Sequence, residues 1–192
     1  MQETITIILY SYLLGSVPFG FILYKIFKKK DIRESGSGNI GATNVIRSGN
    51  KVLGVFTLIL DCAKGFLAVV ITKQYYLDYF TLSAFFVFIG HLFPIWLKFK
   101  GGKGVATYLG VLFAVSYLLP LIFIVTWLII IYVSRYVSLA SIISSLVVLI
   151  SNLILNIIDQ SIILFLFWIL IVYSHRSNIL RLNAGHENKI NL

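Results

Sequence analysis

The chain has 192 residues, of which 59% are hydrophobic and only 12% charged, with a mean hydropathy of +0.94. A soluble domain carries about twice that share of charge, so the composition excludes one and points to an integral membrane protein with several spans. The net charge of +9 could suit nucleic acid or a membrane topology signal, and the one cysteine, Cys62, rules out an intramolecular disulfide.

The first apolar run covers 4–24. Glu3 precedes it, and Lys25, Lys28, Lys29 and Lys30 follow. A signal peptide carries its positive charge before the apolar region, so this order predicts an uncleaved span with its N-terminus outside. Ser16, Pro18 and Gly20 in its second half predict a packing notch or a kink. A polar segment, 25–50, comes next. It contains Ser35-Gly36-Ser37-Gly38-Asn39-Ile-Gly-Ala-Thr43-Asn44, flanked by Arg33 and Arg47. Gly and Ser alone would suit a flexible linker, but Asn39, Thr43 and Asn44 are directional hydrogen-bonding groups. The segment is therefore read as an anion cradle.

The second run, 52–72, is interrupted by Asp61 and Lys64, three apart and so on one helix face. Ionisable groups inside a membrane are costly. The pair is either part of a site or a buried structural pair orienting neighbouring helices. After a short outer loop, the third run covers 79–97. It leads into His91-Leu-Phe-Pro-Ile-Trp-Leu-Lys98-Phe-Lys100-Gly101-Gly102-Lys103-Gly104-Val-Ala-Thr107. Three glycines around a lysine can expose backbone N–H groups as a concave nest, and a helix starting near Gly104 would add the positive end of its dipole. Such a stretch receives phosphate or carboxylate at a membrane surface. It is not a P-loop, since the GxxxxGK[ST] spacing is absent and no strand precedes it. Further runs cover 104–118 and 121–134, split at Pro120, then 138–157 and 161–174. A polar tail begins at His175.

These boundaries give an all-α, polytopic membrane protein of seven transmembrane helices, N-terminus outside and C-terminus cytoplasmic, in one domain, 1–192. Charge supports that count. Fourteen of the sixteen Lys and Arg fall on one side, with Lys64 inside a span and Lys73 alone outside. The same asymmetry accounts for +9 without nucleic acid. Three polar stretches, 35–50, 98–107 and 175–189, then lie on the cytoplasmic face, where their cations suit anionic ligands. Neither HExxH nor a cysteine cluster is present, nor a GxSxG elbow or an HxxxxD acyltransferase dyad. Three classes stay open on these residues: an enzyme, a transporter for a phosphorylated metabolite, and a structural binder of anionic headgroups. Transporter sites tend to lie near the midplane on broken helices, and here the glycines gather at one face.

Read together, the Ser35–Asn44 stretch, the His91–Thr107 stretch and His175-Arg…Asn178…Arg181-Leu…Gly185…Glu187 closely resemble the bacterial acyl-phosphate:glycerol-3-phosphate acyltransferase family. Leu60-Asp61…Lys64-Gly65 fits the same pattern, and the resemblance covers essentially the whole chain. It implies a multi-pass enzyme of the bacterial plasma (inner) membrane with its site on the cytoplasmic face. That enzyme would move a fatty acyl group from acyl phosphate to the 1-hydroxyl of glycerol 3-phosphate. The products would be lysophosphatidic acid and phosphate, in the first step of phospholipid synthesis, with no metal and no cofactor. Lys100 and Lys103 with Gly101, Gly102, Gly104 and Thr107 would hold glycerol 3-phosphate. Ser35, Gly36, Ser37, Gly38, Asn39, Asn44 and Arg47 would hold the acyl phosphate, with Ser37 and Asn44 among the reacting groups. His175 and Asn178 would orient the hydroxyl or share its proton, and Glu187 would tie down the tail. Contact with the enzyme that produces acyl phosphate is left open as a partner.

Overall fold

The structure is a computed structural model and describes residues 1–190. Among the described residues it is all helical, with ten α-helices: α1 (Gln2–Ser16), α2 (Phe19–Lys28), α3 (Ala42–Arg47), α4 (Lys51–Tyr75), α5 (Phe80–Leu92), α6 (Val105–Val115), α7 (Leu118–Ser134), α8 (Val137–Leu155), α9 (Ser161–Ser174) and α10 (Arg176–Asn183). Four segments are long and apolar enough to cross a bilayer: Gln2–Lys28, Lys51–Tyr75, Leu77–Leu97 and Val137–Leu155. A fifth, α9 with α10, is bent by 59°, and α6 and α7 are shorter apolar helices. The 25 residues of α4 reach about 37 Å, more than the hydrocarbon thickness of a bilayer. Contacts divide the chain into two compact units, Met1–Ala114 and the part from Val115 onward.

In the first unit the chain breaks between α1 and α2. Pro18 has no N–H to donate to the Leu14 carbonyl, so α1 ends at Ser16, and the Val17 carbonyl beyond it is met on the backbone by the Phe19 amide at 3.2 Å. Lys64 Nζ donates to that carbonyl at 2.7 Å and lies 5.6 Å from the centre of the Phe19 ring. The kink expected at Pro18 is therefore closed by a cation from α4.

Lipid supplies no hydrophobic force between helices, so close backbone approach and small hydrogen-bonding side chains must do the joining. The α1–α5 crossing shows both. A Cβ on Gly15 would sit 2.0 Å from the Val87 carbonyl oxygen, and one on Gly90 would sit 2.3 Å from that of Tyr12. Ser11 and Ser83 hydroxyls meet at 2.8 Å, and Tyr12 donates to the Phe93 carbonyl at 2.8 Å. On α4, the Ala68 carbonyl accepts from Tyr10 and from Ser83, both at 2.9 Å, and the Tyr10 and Thr72 hydroxyls are in contact. Asn50 begins α4 as its cap, accepting from the Leu53 amide at 3.1 Å.

The second unit packs α7 against α8 and α8 against α9. The α8 face turned inward is unusually polar: Ser138, Ser141, Ser144, Ser145 and Asn152 are all buried. Asn152 closes the turn after its own helix by donating to the Ile158 carbonyl and accepting from the Ile158 amide.

Two boundaries differ from the sequence reading. The split placed at Pro120 lies earlier, at Ser116, whose hydroxyl accepts from the Leu118 amide at 3.1 Å. Pro120 sits in the first turn of α7, where a missing N–H costs nothing. The segment 25–50 and the tail, both read as loops, hold the short helices α3 and α10.

Candidate active site

The first polar stretch is built around one side chain. Asn44 is 1% exposed, and its Oδ1 accepts from the Ser37 amide at 2.9 Å. Its Nδ2 faces three carbonyls, those of Ile32 at 3.2 Å, Ser35 at 2.9 Å and Asn39 at 2.8 Å. Gly36 and Gly38 take positive φ, +57° and +72°, so the chain can wrap around that amide. Ser37, Gly36 and Gly38 are thereby presented outward, with Ser35 and Asn39 half-buried beside them. Asn44, expected among the reacting groups, lies inside the turn. Its side chain is committed to the loop backbone and does not point out of the loop.

Arg33 is also committed. It grips Asp31 with Nε and Nη2, the latter at 2.6 Å, and covers the Phe21 ring at 4.9 Å. Its hydrogen bonds hold the Asp31 carboxyl below the usual range, against the opposing effect of burial. Arg47, at the end of α3, is exposed and carries the cationic character of this loop outward.

The second stretch turns sharply after α5. Lys98 and Phe99 take left-handed backbone, φ 53° and 61°. The amides of Lys98, Phe99 and Lys100 donate to Ile95, Pro94 and Leu97, and those of Gly101 and Gly102 donate to the Leu92 and His91 carbonyls at 3.0 and 3.1 Å. The open nest expected here is corrected accordingly. From residue 98 to 102 every amide is spent on the chain's own carbonyls, so no nest of open amides forms there. Lys98 and Lys100 are exposed, and Lys103 is half-buried between buried Gly102 and Gly104. Thr107, one turn into α6, is fully buried with its carbonyl close against Gly65.

One apolar cluster underlies both stretches. Tyr24, Ile32, Ile40, Val45, Leu53 and Leu97 are buried together, with Phe21 and Leu23 against them. Ile32, Ile40 and Val45 belong to the first stretch and Leu97 to the second, so the two share one base. Each such side chain contributes about 1.5–3 kcal/mol when removed from water.

Asp61 and Lys64 pair at 2.7 Å with their side chains 4% and 1% exposed. His91 joins them, its Nδ1 3.6 Å from Asp61 Oδ1. The sequence shows the pair but not its third member, because α5 is a separate element and nothing in its spacing points to α4. His91 stands ten residues before Gly101 and could have been found only as a lone polar group in an apolar run.

The tail residues lie in the second unit. His175 is 3% exposed, and Nδ1 donates to the Ile171 carbonyl at 2.8 Å. Asn178 Nδ2 donates to Glu187 Oε1 at 2.6 Å, Ser138 donates to the same oxygen at 2.9 Å, and Arg181 Nε reaches Oε2 at 2.8 Å. Burial raises the Glu187 pKa, but the bonds from Asn178, Arg181 and Ser138 outweigh it and hold the carboxyl below its ordinary value. Glu187 thus locks the tail to α8 and α10. Ser138 carried no sequence signal, being one serine among several on α8.

The model of the family described as glycerol-3-phosphate acyltransferase matches residues 5–185. The chain belongs to that family. A member from Pelagibacter ubique is 50% identical over 188 residues, covering 98% of each chain. Another, from Ehrlichia canis, is 46% identical over 187 residues, covering 96% of this chain and 97% of its own. Both are named glycerol-3-phosphate acyltransferase. Among solved structures, PlsY (YgiH), an integral membrane glycerol 3-phosphate acyltransferase, is similar in its glycerol 3-phosphate form with a TM-score of 0.93 and 38% identity. The match covers 98% of this chain and 96% of that one. The lysophosphatidic acid form of PlsY gives 0.90 and 37%. Fold and family agree with the apolar helices: this acyltransferase family member is an integral membrane protein.

Proposed function

We propose that the protein transfers a fatty acyl group from acyl phosphate to the 1-hydroxyl of sn-glycerol 3-phosphate, giving lysophosphatidic acid and phosphate. This is the first step of phospholipid synthesis, carried out by one domain, 1–192, in the bacterial inner membrane. The observation that carries the reading is the cationic turn of Lys98, Lys100 and Lys103 at the start of α6, on the same apolar base as the Ser35–Asn44 loop. The two stretches give neighbouring places for two phosphates, which is what joining these substrates requires.

Acyl phosphate is a mixed anhydride whose leaving group is already good, so no covalent intermediate is needed. The hydroxyl oxygen attacks the acyl carbon, the bond from that carbon to the phosphate oxygen breaks, and phosphate leaves with the electron pair. The hydroxyl proton ends on phosphate. Lys100 and Lys103 hold the acceptor's phosphate. The outward Ser35–Asn39 turn and Arg47 hold the donor's, so recognition and leaving-group assistance coincide. A role for His175 and Asn178 in orienting the hydroxyl or relaying its proton belongs to the same reading. The rest of the catalytic effect is alignment of two bound reactants.

The reading includes seven spans, N-terminus outside and C-terminus inside, supported by fourteen of sixteen Lys and Arg on one side. A membrane-impermeant thiol reagent should label Gln74→Cys in intact cells and miss Asn188→Cys. The reverse pattern would part the polar stretches from cytoplasmic substrates. For the reaction, purified protein is offered palmitoyl phosphate or palmitoyl-coenzyme A with glycerol 3-phosphate. Lysophosphatidic acid should form with the first. Comparable turnover of the thioester would sink the donor assignment.

A further inference from the structure

Among the polar side chains of the first unit, His91 is a buried ionisable group that the reaction as written leaves without a task. It is 4% exposed and closes a chain of contacts: Val17 carbonyl, Lys64, Asp61, His91. Its other side meets the glycine-rich turn. A Cβ on Gly102 would stand 2.2 Å from His91 Nε2 and 2.8 Å from Cε1, so the imidazole occupies the space a side chain at 102 would need. The His91 carbonyl accepts the Gly102 amide, and the Leu92 carbonyl accepts the Gly101 amide. Gly101 is equally confined, since a Cβ there would stand 2.2 Å from the His91 carbonyl oxygen. The residues just before Lys103 are thus seated on one imidazole and two carbonyls at the end of α5.

We propose that His91 is a positioning residue: packed beneath Gly102 and facing Asp61 at 3.6 Å, it fixes the height and tilt of Gly101–Gly102 and so places Lys103 for the phosphate-bearing acceptor. This rests on the proposed acyl transfer to glycerol 3-phosphate. The physical reason is rigidity. A lysine ammonium on a four-carbon stem binds phosphate as a point charge, and its aim is only as good as the backbone that carries it. Between Gly102 and Gly104 that backbone has no side chains of its own to wedge it. The ring beneath Gly102 supplies the wedge, and the Asp61 carboxylate, itself paired with Lys64, faces its Nδ1 across 3.6 Å. His91 touches neither substrate in this arrangement, and its effect passes through Gly102.

Three variants test this by steady-state kinetics of purified protein, with thermal unfolding in detergent as a control. His91→Ala should raise KM for glycerol 3-phosphate on the order of 10-fold or more while KM for acyl phosphate stays within about twofold. Gly102→Ala, which drives a methyl group into the imidazole, should raise the same KM. The double variant His91→Ala/Gly102→Ala removes that clash and should recover part of the loss, falling well short of the product of the single effects. A merely structural histidine would instead lower the unfolding temperature and move both KM values, and the double variant would then be worse than either. Multiplicative effects, or equal shifts in both KM values, overturn the proposal. Should His91→Ala not fold, His91→Phe keeps the ring and removes the nitrogen facing Asp61. It should still raise KM for the acceptor alone, and an unchanged value overturns the part given to Asp61. Wild-type protein that makes no lysophosphatidic acid from acyl phosphate would sink the acyl-transfer reading itself, which these ratios do not touch.

Discussion

The two polar turns of the first unit are held in opposite ways. The Ser35–Asn44 turn has few backbone bonds of its own and is gathered around one buried amide, Asn44, with four backbone partners. The Lys98–Gly104 turn is tied by successive backbone bonds from residues 98 to 102, and Lys98 and Lys100 are exposed on it. The difference has a physical basis. A turn that presents small polar groups needs an internal template, since Gly and Ser impose no shape. A turn that presents lysines can spend its amides, because the charge it offers is carried on side chains. Breaking the first turn should therefore take one substitution in its interior, whereas the second should tolerate loss of its exposed cations without losing its shape.

The largest effect is expected at that interior. Asn44→Ala removes the template and takes a hydrogen-bond partner from the Ser37 amide and the Asn39 carbonyl, while the Ile32 and Ser35 carbonyls keep the Ser35 and Gly38 amides. A loss of about 1–3 kcal/mol in stability is expected, read as a lower unfolding temperature in detergent, together with loss of turnover. An unaffected unfolding temperature would mean that the turn has another template. Lys103→Ala should act differently. Stability and expression should hold, while KM for glycerol 3-phosphate rises about 10- to 150-fold, the worth of one charge-assisted contact at roughly 1.5–3 kcal/mol. Unchanged kinetics would reduce this lysine to a topology signal.

The smallest effect belongs to the tail, which combines both strategies: a carboxylate template, Glu187, and a cation, Arg181, that is 36% exposed. Glu187→Gln keeps an acceptor for Asn178 and Ser138 and loses the charge facing Arg181, for a cost of about 1 kcal/mol. The pH dependence has a definite sign. The folded carboxyl titrates below its ordinary value of 4.5, so its stabilisation is complete above that pH and is lost as pH falls through the lower folded value. Wild-type protein should lose stability in that acid window more steeply than Glu187→Gln does. Parallel curves would remove Glu187 as the cause.

Much of this was legible in the chain itself. Long apolar runs and Pro18 marked the membrane helices and the break in the first of them, because hydrophobic length and a missing N–H act locally. The three motifs were legible as polar islands in an apolar sequence. What stayed hidden was long-range. Nothing near Val17 announces that its carbonyl is met by Lys64, 47 residues on, and nothing near His91 announces Asp61. The Lys98–Gly102 turn was read as open because glycine permits exposed amides; permission did not decide it, since the carbonyls at the end of α5 needed donors too. The helices α3 and α10 were missed because they are short and polar, with no apolar stripe to show a helical period.

The bond from Lys64 to the Val17 carbonyl has a consequence for biogenesis. The segment that ends at Lys28 is synthesised before α4 exists, so at its break the Val17 carbonyl has the Phe19 amide, at 3.2 Å, and not yet the Lys64 ammonium. Irregular backbone is tolerated at membrane depth only where protein covers it, which disfavours a settled, lone first helix. When α4 follows, Lys64 and Asp61 arrive already neutralising one another, and the ammonium finds its second partner at the break. The two segments are therefore suited to settle as a hairpin, each relieving in the other a polar burden that neither could carry into lipid alone.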